Sequence, residues 1–388
     1  MIYFKSSKGC DKVIKKRKLK LKSNLKKPLM VVGFILLIIV ILIILYFNRI
    51  GELKALGYSE EAAKNIIFKF KFSYVMDIGE NKTLNAAFSS DSYEDENLDA
   101  YVKITYANQE HLISNINKLL DKGYNVNEVS LIISRGDDEA VSLFAKRDKV
   151  KNIEEFLDVD YAKLKNFDRY VAYKEKENDD AETTVLYVNM DFDKEDYVDP
   201  VVIDKFDDYV LVNKHRQLSS KYIPDDLVKI DEEYVKTDGE IEIERNVAKA
   251  FYDMAEAASE DGMELMVSSG YRSYEDQEEI METYLELYGQ NYVDNYVAKP
   301  GFSEHQTGMS LDVASKSVNT FVNSEEYSWM MDNAYKYGFI LRYPKSKEDI
   351  TGYKCEAWHY RYVGKEIAEY IHDNNITYDE YYVMFLDK

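Results

Sequence analysis

The chain has 388 residues, with 71 Asp and Glu against 50 Lys and Arg, and a formal net charge of −21 at pH 7. This length exceeds one typical domain, so we expect at least two folded units. The acidic balance argues against nucleic acid as a partner, because a negatively charged surface repels a polyanion.

The first residues depart from that acidic balance. Residues 1–27 hold eleven Lys and Arg and one acid, Asp11, which gives this segment a net charge of +10. Removing the segment from the total of −21 leaves −31 on residues 28–388. We therefore predict a basic cytoplasmic tail over residues 1–27, followed by a strongly acidic remainder.

An uncharged apolar run follows the tail, PLMVVGFILLIIVILIILYF, from Pro28 to Phe47. About 20 apolar residues suffice to cross a hydrocarbon core as a helix. Because the basic flank precedes the run, the positive-inside rule predicts a cytoplasmic N-terminus and an extracytoplasmic remainder. A cleaved signal peptide is the alternative, but the run is long for one and lacks a small-residue cleavage site. We expect a single-pass protein of the cell membrane, with residues 28–47 as its transmembrane helix.

Residues 48–190 are predicted to form an extracytoplasmic spacer of mainly helical or mixed structure. Two stretches in it are similar, LKALGYSEEAAKNII (Leu53–Ile67) and LLDKGYNVNEVSLII (Leu119–Ile133), and a fainter copy spans Phe156–Phe167. In the first two, a glycine ends one short helix, and the Ser or Asn after the Gly-Tyr pair is placed to cap the next. The pattern indicates short helical repeats, with chance similarity as the alternative.

The second half of the chain mixes both kinds of secondary structure. TTVLYVNMDF and DDYVLVNKH are predicted to be short strands, because β-branched and aromatic residues dominate them. Apolar residues at helical spacing, from Val247 to Ala258, predict a helix over residues 242–260, and MELMVSSGY after it is typical of a strand. This mixture favours an α+β class for the C-terminal domain.

Two of the five histidines, His305 and His359, lie in dense polar segments marked by glycines, PGFSEHQTGMSLDVAS and GYKCEAWHYRYVG. Catalytic zinc takes three His, Asp or Glu ligands and keeps one position for water. His305, Asp312 and His359 would supply that set, and Gly308 allows the chain to turn between the first two. On spacing alone, ordinary structural roles for these side chains are the alternative.

Glu356, three residues before His359, is the candidate general base. A water that attacks a peptide bond needs a carboxylate within hydrogen-bond reach to take its proton. A regular strand would place Glu356 and His359 on opposite faces, so we predict a bulge or loop before Trp358. An exposed acid without a catalytic role is the alternative.

Four ordered blocks resemble the VanY-type D-alanyl-D-alanine carboxypeptidase family, which includes related L,D-carboxypeptidases. They are SSGYRSYEDQ, PGFSEHQTGMSLDV, YGFILRYPKSKEDITGY and EAWHYRYVG, within a similarity that covers roughly residues 205–375. The resemblance implies a small α+β zinc peptidase domain with an antiparallel sheet, which we assign to residues 191–388.

The resemblance also implies roles for seven residues. They are the Zn²⁺ ligands His305, Asp312 and His359, the catalytic base Glu356, and the group that binds the substrate's terminal carboxylate, Arg272 with Gln277 and Ser303. A guanidinium fork matches a carboxylate bidentately, which suits recognition of a free C-terminus. Ala357 departs from the family, which usually has Pro before the Trp, and this difference bears on the position of Glu356.

The implied function is hydrolysis of the C-terminal D-alanine of peptidoglycan stem peptides by a membrane-anchored zinc carboxypeptidase of D,D or L,D type. A non-catalytic peptidoglycan-binding or sensor module is one alternative, and a related endopeptidase that cuts inside the stem peptide is another. Glu356 beside a full ligand set argues against the binding module. Arg272 argues against the endopeptidase, because it is suited to a terminal carboxylate.

Overall fold

The computed structural model describes residues 23–387, so most of the predicted basic tail, 1–27, lies outside the described residues. The chain divides into two units, one that ends at Lys149 and one that begins at Val150. The domain boundary that we predicted after residue 190 differs from this division.

The described part of the first unit is helical. Its helices are α1 (Ser23–Ala55), α2 (Glu60–Phe68), α3 (Phe72–Ile78), α4 (Lys82–Phe88), α5 (Leu98–Lys103), α6 (Leu112–Asp121), α7 (Val126–Arg135) and α8 (Asp138–Phe144). The prediction of mainly helical or mixed structure for the spacer is confirmed over these residues, and the role of the spacer stays a prediction.

Helix α1 contains the apolar run. Its segment Leu29–Ala55 is long and apolar enough to cross a membrane. The large apolar side chains from Leu29 to Phe47 are all exposed, which is not how a helix in a protein core packs. Because an N-terminal signal sequence can also be long and apolar enough to cross a membrane, the anchor and its topology belong to the proposed function.

The turns predicted in the two similar stretches of the spacer are present. Gly57 and Gly123 have φ angles of 91° and 84°, in the left-handed region that commonly ends a helix. The Ser59 side chain caps α2, and Asn125 forms a capping box at the start of α7. These local predictions are confirmed.

Among the described residues, each unit contains a hydrogen-bonded Tyr–Asn pair. Tyr101 donates to Asn117 at 2.6 Å in the first unit, and Tyr170 donates to Asn189 at 2.7 Å in the second. Each asparagine also donates to a backbone carbonyl, 25 residues earlier in the first case and 28 in the second. The fainter copy of the repeat over residues 156–167 stays a prediction.

The strand predicted at TTVLYVNMDF is wrong, because most of it forms the helix Ala181–Asn189. Asp180 caps this helix, and Val185 and Val188, three residues apart, are buried on one face of it. Capping and packing thus outweigh β-propensity here. DDYVLVNKH, residues 207–215, is also not a strand and runs as a loop before the next strand.

The second unit combines helices with strands. Its helices are α9 (Ile153–Leu157), α10 (Phe167–Glu177), α11 (Ala181–Asn189), α12 (Arg245–Glu260), α13 (Tyr274–Tyr288), α14 (Gln290–Tyr296), α15 (Glu325–Asn333), α16 (Glu348–Thr351), α17 (Lys365–Asn374) and α18 (Tyr378–Tyr381). Its strands are β1 (Val201–Ile203), β2 (Arg216–Leu218), β3 (Leu227–Lys229), β4 (Glu242–Glu244), β5 (Leu265–Ser269), β6 (Ser310–Ser315), β7 (Phe339–Leu341) and β8 (His359–Tyr362).

The main sheet has the order β5-β6-β8-β7, and all its neighbouring strands are antiparallel. Two short pairs accompany it, a parallel β1-β2 pair and an antiparallel β3-β4 pair. The predicted α+β class with an antiparallel sheet is confirmed. Strand β5 lies where MELMVSSGY predicted a strand.

One face of the main sheet packs against α12. Phe251 and Met254 of this helix share a core cluster with Leu311 and Val313 of β6, and each such buried side chain contributes about 1.5–3 kcal/mol. Alternation along β6 then directs Asp312 to the other face of the sheet. The helix predicted over residues 242–260 begins three residues later, because β4 pairs with β3 first.

Candidate active site

The three predicted metal ligands converge on the polar face of the sheet. One potential ligand atom from each of His305, Asp312 and His359 lies within 4.8 Å of the other two. Asp312 Oδ1 lies 3.4 Å from His305 Nε2 and 3.1 Å from His359 Nδ1. Both histidine side chains are buried and Asp312 is nearly so.

The local fold explains this convergence. Asp312 and His359 are paired residues of the neighbouring strands β6 and β8. His305 lies in a short 3-10 turn, Glu304–Thr307, and Gly308 ends that turn with a φ of 69°. The turn brings His305 back over β6 although it lies seven positions before Asp312 in the chain. The turn predicted at Gly308 is confirmed.

The two imidazole rings present different nitrogens to Asp312. His305 Nδ1 lies 2.7 Å from the Gly270 carbonyl oxygen, so it donates there and leaves Nε2 with a lone pair. In His359 the nitrogen that faces Asp312 is Nδ1. Two imidazole nitrogens and one carboxylate oxygen at these separations fit Zn²⁺, which prefers N and O donors of this type.

Glu356 reaches the same cleft through a turn. The backbone amide of His359 donates to the Glu356 carbonyl at 3.2 Å, and β8 begins only at His359. The loop predicted before Trp358 is therefore confirmed. Burial raises the pKa of the Glu356 carboxyl to about 7, with nearby His359 opposing the shift. A carboxyl that titrates near neutrality is suited to both accept and return a proton.

Arg272 lies in the loop between β5 and α13, and its guanidinium is held by two side chains. Nη1 donates to Gln277 Oε1 at 2.8 Å, and Nη2 donates to Ser269 Oγ at 3.1 Å. Gln277 in turn donates to the Ala298 carbonyl, which fixes its orientation. Burial lowers the pKa of Arg272, although Asp312 and other anionic groups oppose this effect.

The cleft that contains these groups has a volume of about 330 Å³. It is lined by all seven predicted site residues and by an aromatic wall that the sequence interpretation did not identify, which includes Tyr284, Tyr292, Tyr343, Tyr353 and Trp358. The structure thus brings Ser303 and Gln277 into the cleft with Arg272. The large number of tyrosines, 34 in the chain, gave no signal for which of them line a site.

A third carboxylate, Glu304, also lines the cleft, and the sequence interpretation gave it no role. It is 1% exposed and forms ion pairs with Arg342 and Arg361. Burial alone would raise the pKa of Glu304, but the two guanidinium groups hold that pKa well below its usual range. Glu304 is therefore a buried carboxylate in its charged form.

Comparisons with known proteins show the family to which this chain is similar. The VanY D-alanyl-D-alanine carboxypeptidase family profile matches residues 240–365. YodJ of Bacillus subtilis (strain 168) is 46% identical over 180 residues, which cover 44% of this chain and 66% of YodJ. The chain thus spans slightly less than two thirds of that relative's length.

Two further relatives have named activities. The bifunctional D-Ala-D-Ala dipeptidase and D-Ala-D-Ala carboxypeptidase VanXYC of Enterococcus gallinarum is 33% identical over 181 residues, which cover 44% of this chain and 92% of VanXYC. The solved LdcB LD-carboxypeptidase, whose structure addresses peptidoglycan recognition, is 44% identical over 44% of this chain and 84% of its own, with a TM-score of 0.42. Because the chain covers nearly all of VanXYC at 33% identity, it belongs to the VanY D-alanyl-D-alanine carboxypeptidase family.

Proposed function

We propose that the protein is a membrane-anchored zinc carboxypeptidase that removes the C-terminal D-alanine of peptidoglycan stem peptides outside the cytoplasmic membrane. The proposal rests on one observation. A ligand set of the type that holds zinc lies in the same cleft as Glu356 and Arg272. Each of these groups supplies a different requirement of the reaction.

His305, Asp312 and His359 would hold Zn²⁺. When bound, the ion supplies Lewis acidity and lowers the pKa of a coordinated water. The geometry that favours this ion is the mutual approach of the three ligand atoms to within 4.8 Å. The hydrogen bond from His305 Nδ1 to the Gly270 carbonyl fixes the tautomer that leaves Nε2 for the metal.

Glu356 would move the protons of the reaction. As a carboxylate it takes a proton from the attacking water, and as a carboxylic acid it returns that proton to the leaving amine. A buried carboxyl with a pKa raised to about 7 reaches both states near neutral pH. A module that only binds peptidoglycan has no use for such a group at this position.

Arg272 would bind the C-terminal carboxylate of the substrate. Two of its five N–H donors are occupied by Gln277 and Ser269, which orient the guanidinium plane. The remaining donors can form the bidentate pair that guanidinium and carboxylate groups favour. Recognition of a free carboxylate supports exopeptidase action rather than cleavage inside the stem peptide.

Helix α1 would anchor the enzyme, with the basic residues 1–27 in the cytoplasm. This topology places the catalytic domain on the side of the membrane where peptidoglycan lies. The partners in this proposal are stem peptides and the membrane, and nucleic acid is not among them.

Mass spectrometry of muropeptides tests the proposal. The ectodomain, from about residue 50 onward, is incubated with stem peptides that end in D-Ala-D-Ala and, separately, with tetrapeptides that end in a single D-Ala. Loss of one alanine from the first substrate indicates D,D activity, and loss from the second indicates L,D activity. Internal cleavage products would indicate an endopeptidase, and unchanged substrates with measurable binding would indicate a binding module.

A further inference from the structure

Glu304 occupies a fully buried position between the zinc-type site and two arginines. Its Oε1 atom accepts hydrogen bonds from Arg342 Nε at 2.8 Å and from Arg361 Nη1 at 3.2 Å. Both arginine side chains are 0% exposed. One carboxylate oxygen is thus fully used by the two guanidinium groups, which fixes the position of the whole carboxylate.

The other oxygen of Glu304 faces a metal ligand. Oε2 accepts a hydrogen bond from Ser310 Oγ at 3.2 Å and lies 3.5 Å from His359 Nε2. His359 Nε2 is buried and has no hydrogen bond within the described residues. A buried ring N–H without an acceptor is costly, and the Glu304 carboxylate is the anionic acceptor adjacent to it.

We propose that Glu304 is a positioning residue for the metal ligand His359. Its carboxylate accepts the Nε2 proton, which fixes the ring as the Nε2–H tautomer and leaves the Nδ1 lone pair directed to the side where Asp312 lies. A carboxylate that orients a ligating histidine in this way typically affects metal affinity by about 10- to 100-fold. The inference rests on the zinc site of the proposed function and adds a role for a residue that does not bind the metal.

A purely structural role for Glu304 is the rival explanation, because the same carboxylate belongs to a buried ionic cluster. Arg342 Nη1 also donates to Asp379 Oδ2 at 2.6 Å, and Asn213 donates to Asp379 Oδ1 at 2.8 Å. Asp379 is 2% exposed and, like Glu304, neutralises Arg342. The ion pairs and hydrogen bonds of Asp379 do not include His359.

Asp379 therefore provides a matched control. Glu304→Gln and Asp379→Asn each remove one buried negative charge from Arg342, so both variants should lower the thermal unfolding midpoint of the metal-free protein. Only Glu304→Gln also removes the anionic acceptor at His359. The two variants separate loss of stability from loss of ligand positioning.

The experiment is a zinc competition titration with a chromophoric chelator, on the full ectodomain of the wild type and both variants. We expect Glu304→Gln to bind zinc about 10- to 100-fold more weakly than wild type, with Asp379→Asn close to wild type. Wild-type affinity in Glu304→Gln, or equal losses in both variants, would overturn the inference. Absence of zinc binding by the wild type would instead refute the proposed function.

A measurement on the wild type can overturn the inference even if Glu304→Gln does not fold. Nitrogen-15 spectra of the histidine rings in the zinc-loaded protein report which nitrogen carries the proton. We expect a proton on Nε2 of His359 and, in contrast, on Nδ1 of His305. A proton on Nδ1 of His359 would overturn the inference.

Discussion

Replacing Arg272 with Lys tests the proposed contact between Arg272 and the C-terminal carboxylate of the substrate, because it removes part of that contact. The guanidinium already uses two donors to bind Gln277 and Ser269, so it meets the substrate in a fixed orientation. A lysine keeps the positive charge but cannot form two parallel hydrogen bonds to one carboxylate. The variant should therefore lose about one charge-assisted hydrogen bond to the substrate.

Such a bond contributes about 1.5–3 kcal/mol. Since 1.36 kcal/mol corresponds to a factor of ten in rate, Arg272→Lys should lower kcat/KM about 10- to 150-fold on a stem peptide with a free C-terminus. On the C-terminal amide, which the wild type should already hydrolyse poorly, the same variant should cause a much smaller further loss. The difference between the two substrates isolates the carboxylate contact from any general damage.

The assay measures alanine release from the acid and the amide by wild type, Arg272→Lys and Arg245→Lys. Arg245 is a suitable control because its side chain is 63% exposed and pairs with Asp226, away from the cleft residues. We expect the control to match wild type. Equal turnover of acid and amide by the wild type would refute the proposed contact between Arg272 and the terminal carboxylate. Equal losses of kcat/KM on both substrates in Arg272→Lys would refute it as well.

Three further predictions concern pH, backbone conformation and the membrane. Glu356 must be ionised to act as a base, so kcat/KM should fall as the pH decreases through the pKa of this carboxyl. That pKa should lie between the ordinary value of 4.5 and about 7, because burial raises it and a bound cation lowers it. A flat pH–rate profile across this interval would contradict the assignment of Glu356 as the base. Gly308→Ala should lower the free energy of unfolding by at least about 1–2 kcal/mol, because φ is +69° and the added Cβ would lie 3.0 Å from Leu227 Cδ2. Gly262→Ala is the control, because φ is +83° there and an added Cβ would have no atom within 4 Å, so this variant measures the backbone penalty alone. If denaturant titrations show equal losses of unfolding free energy in the two variants, the steric contribution at Gly308 is excluded. The full chain should stay with membranes through an alkaline carbonate wash, whereas residues 50–388 should be soluble without detergent. Release of the full chain by the wash would contradict the proposed membrane anchor.

The sequence was informative about several turns and helix caps, whose residues are close in the chain. The caps at Ser59 and Asn125 and the turn at Gly308 are local, and they are present as predicted. The turn before Trp358 followed from strand alternation, since Glu356 and His359 could share a cleft only if the chain was irregular between them.

Local propensity failed where packing decided the outcome. TTVLYVNMDF has the composition of a strand, but Asp180 caps a helix there and buried valines three residues apart stabilise it. Propensity carries no information about which partners a segment will meet in the fold. The same limit explains why DDYVLVNKH was predicted to be a strand and forms a loop.

The buried ionic cluster beneath the site could not be predicted from the sequence. Arg342 and Arg361 pair with Glu304 across 38 and 57 residues, and Asp379 lies in α18. Charged residues are usually solvated, so a sequence gives no reason to assign them to a core. Only the folded chain brings these charged groups together.

Zinc content and alanine release from stem peptides, measured for the wild-type ectodomain and for Glu356→Gln, test whether this cleft is a zinc-dependent catalytic site. The amide keeps the shape and one acceptor oxygen of the carboxylate but is not basic. We predict close to one zinc per chain in both proteins, D-alanine release by the wild type, and a loss of about 10²- to 10⁴-fold in Glu356→Gln. Zinc-loaded wild type that releases no alanine, or Glu356→Gln that retains both zinc and wild-type turnover, would contradict the account.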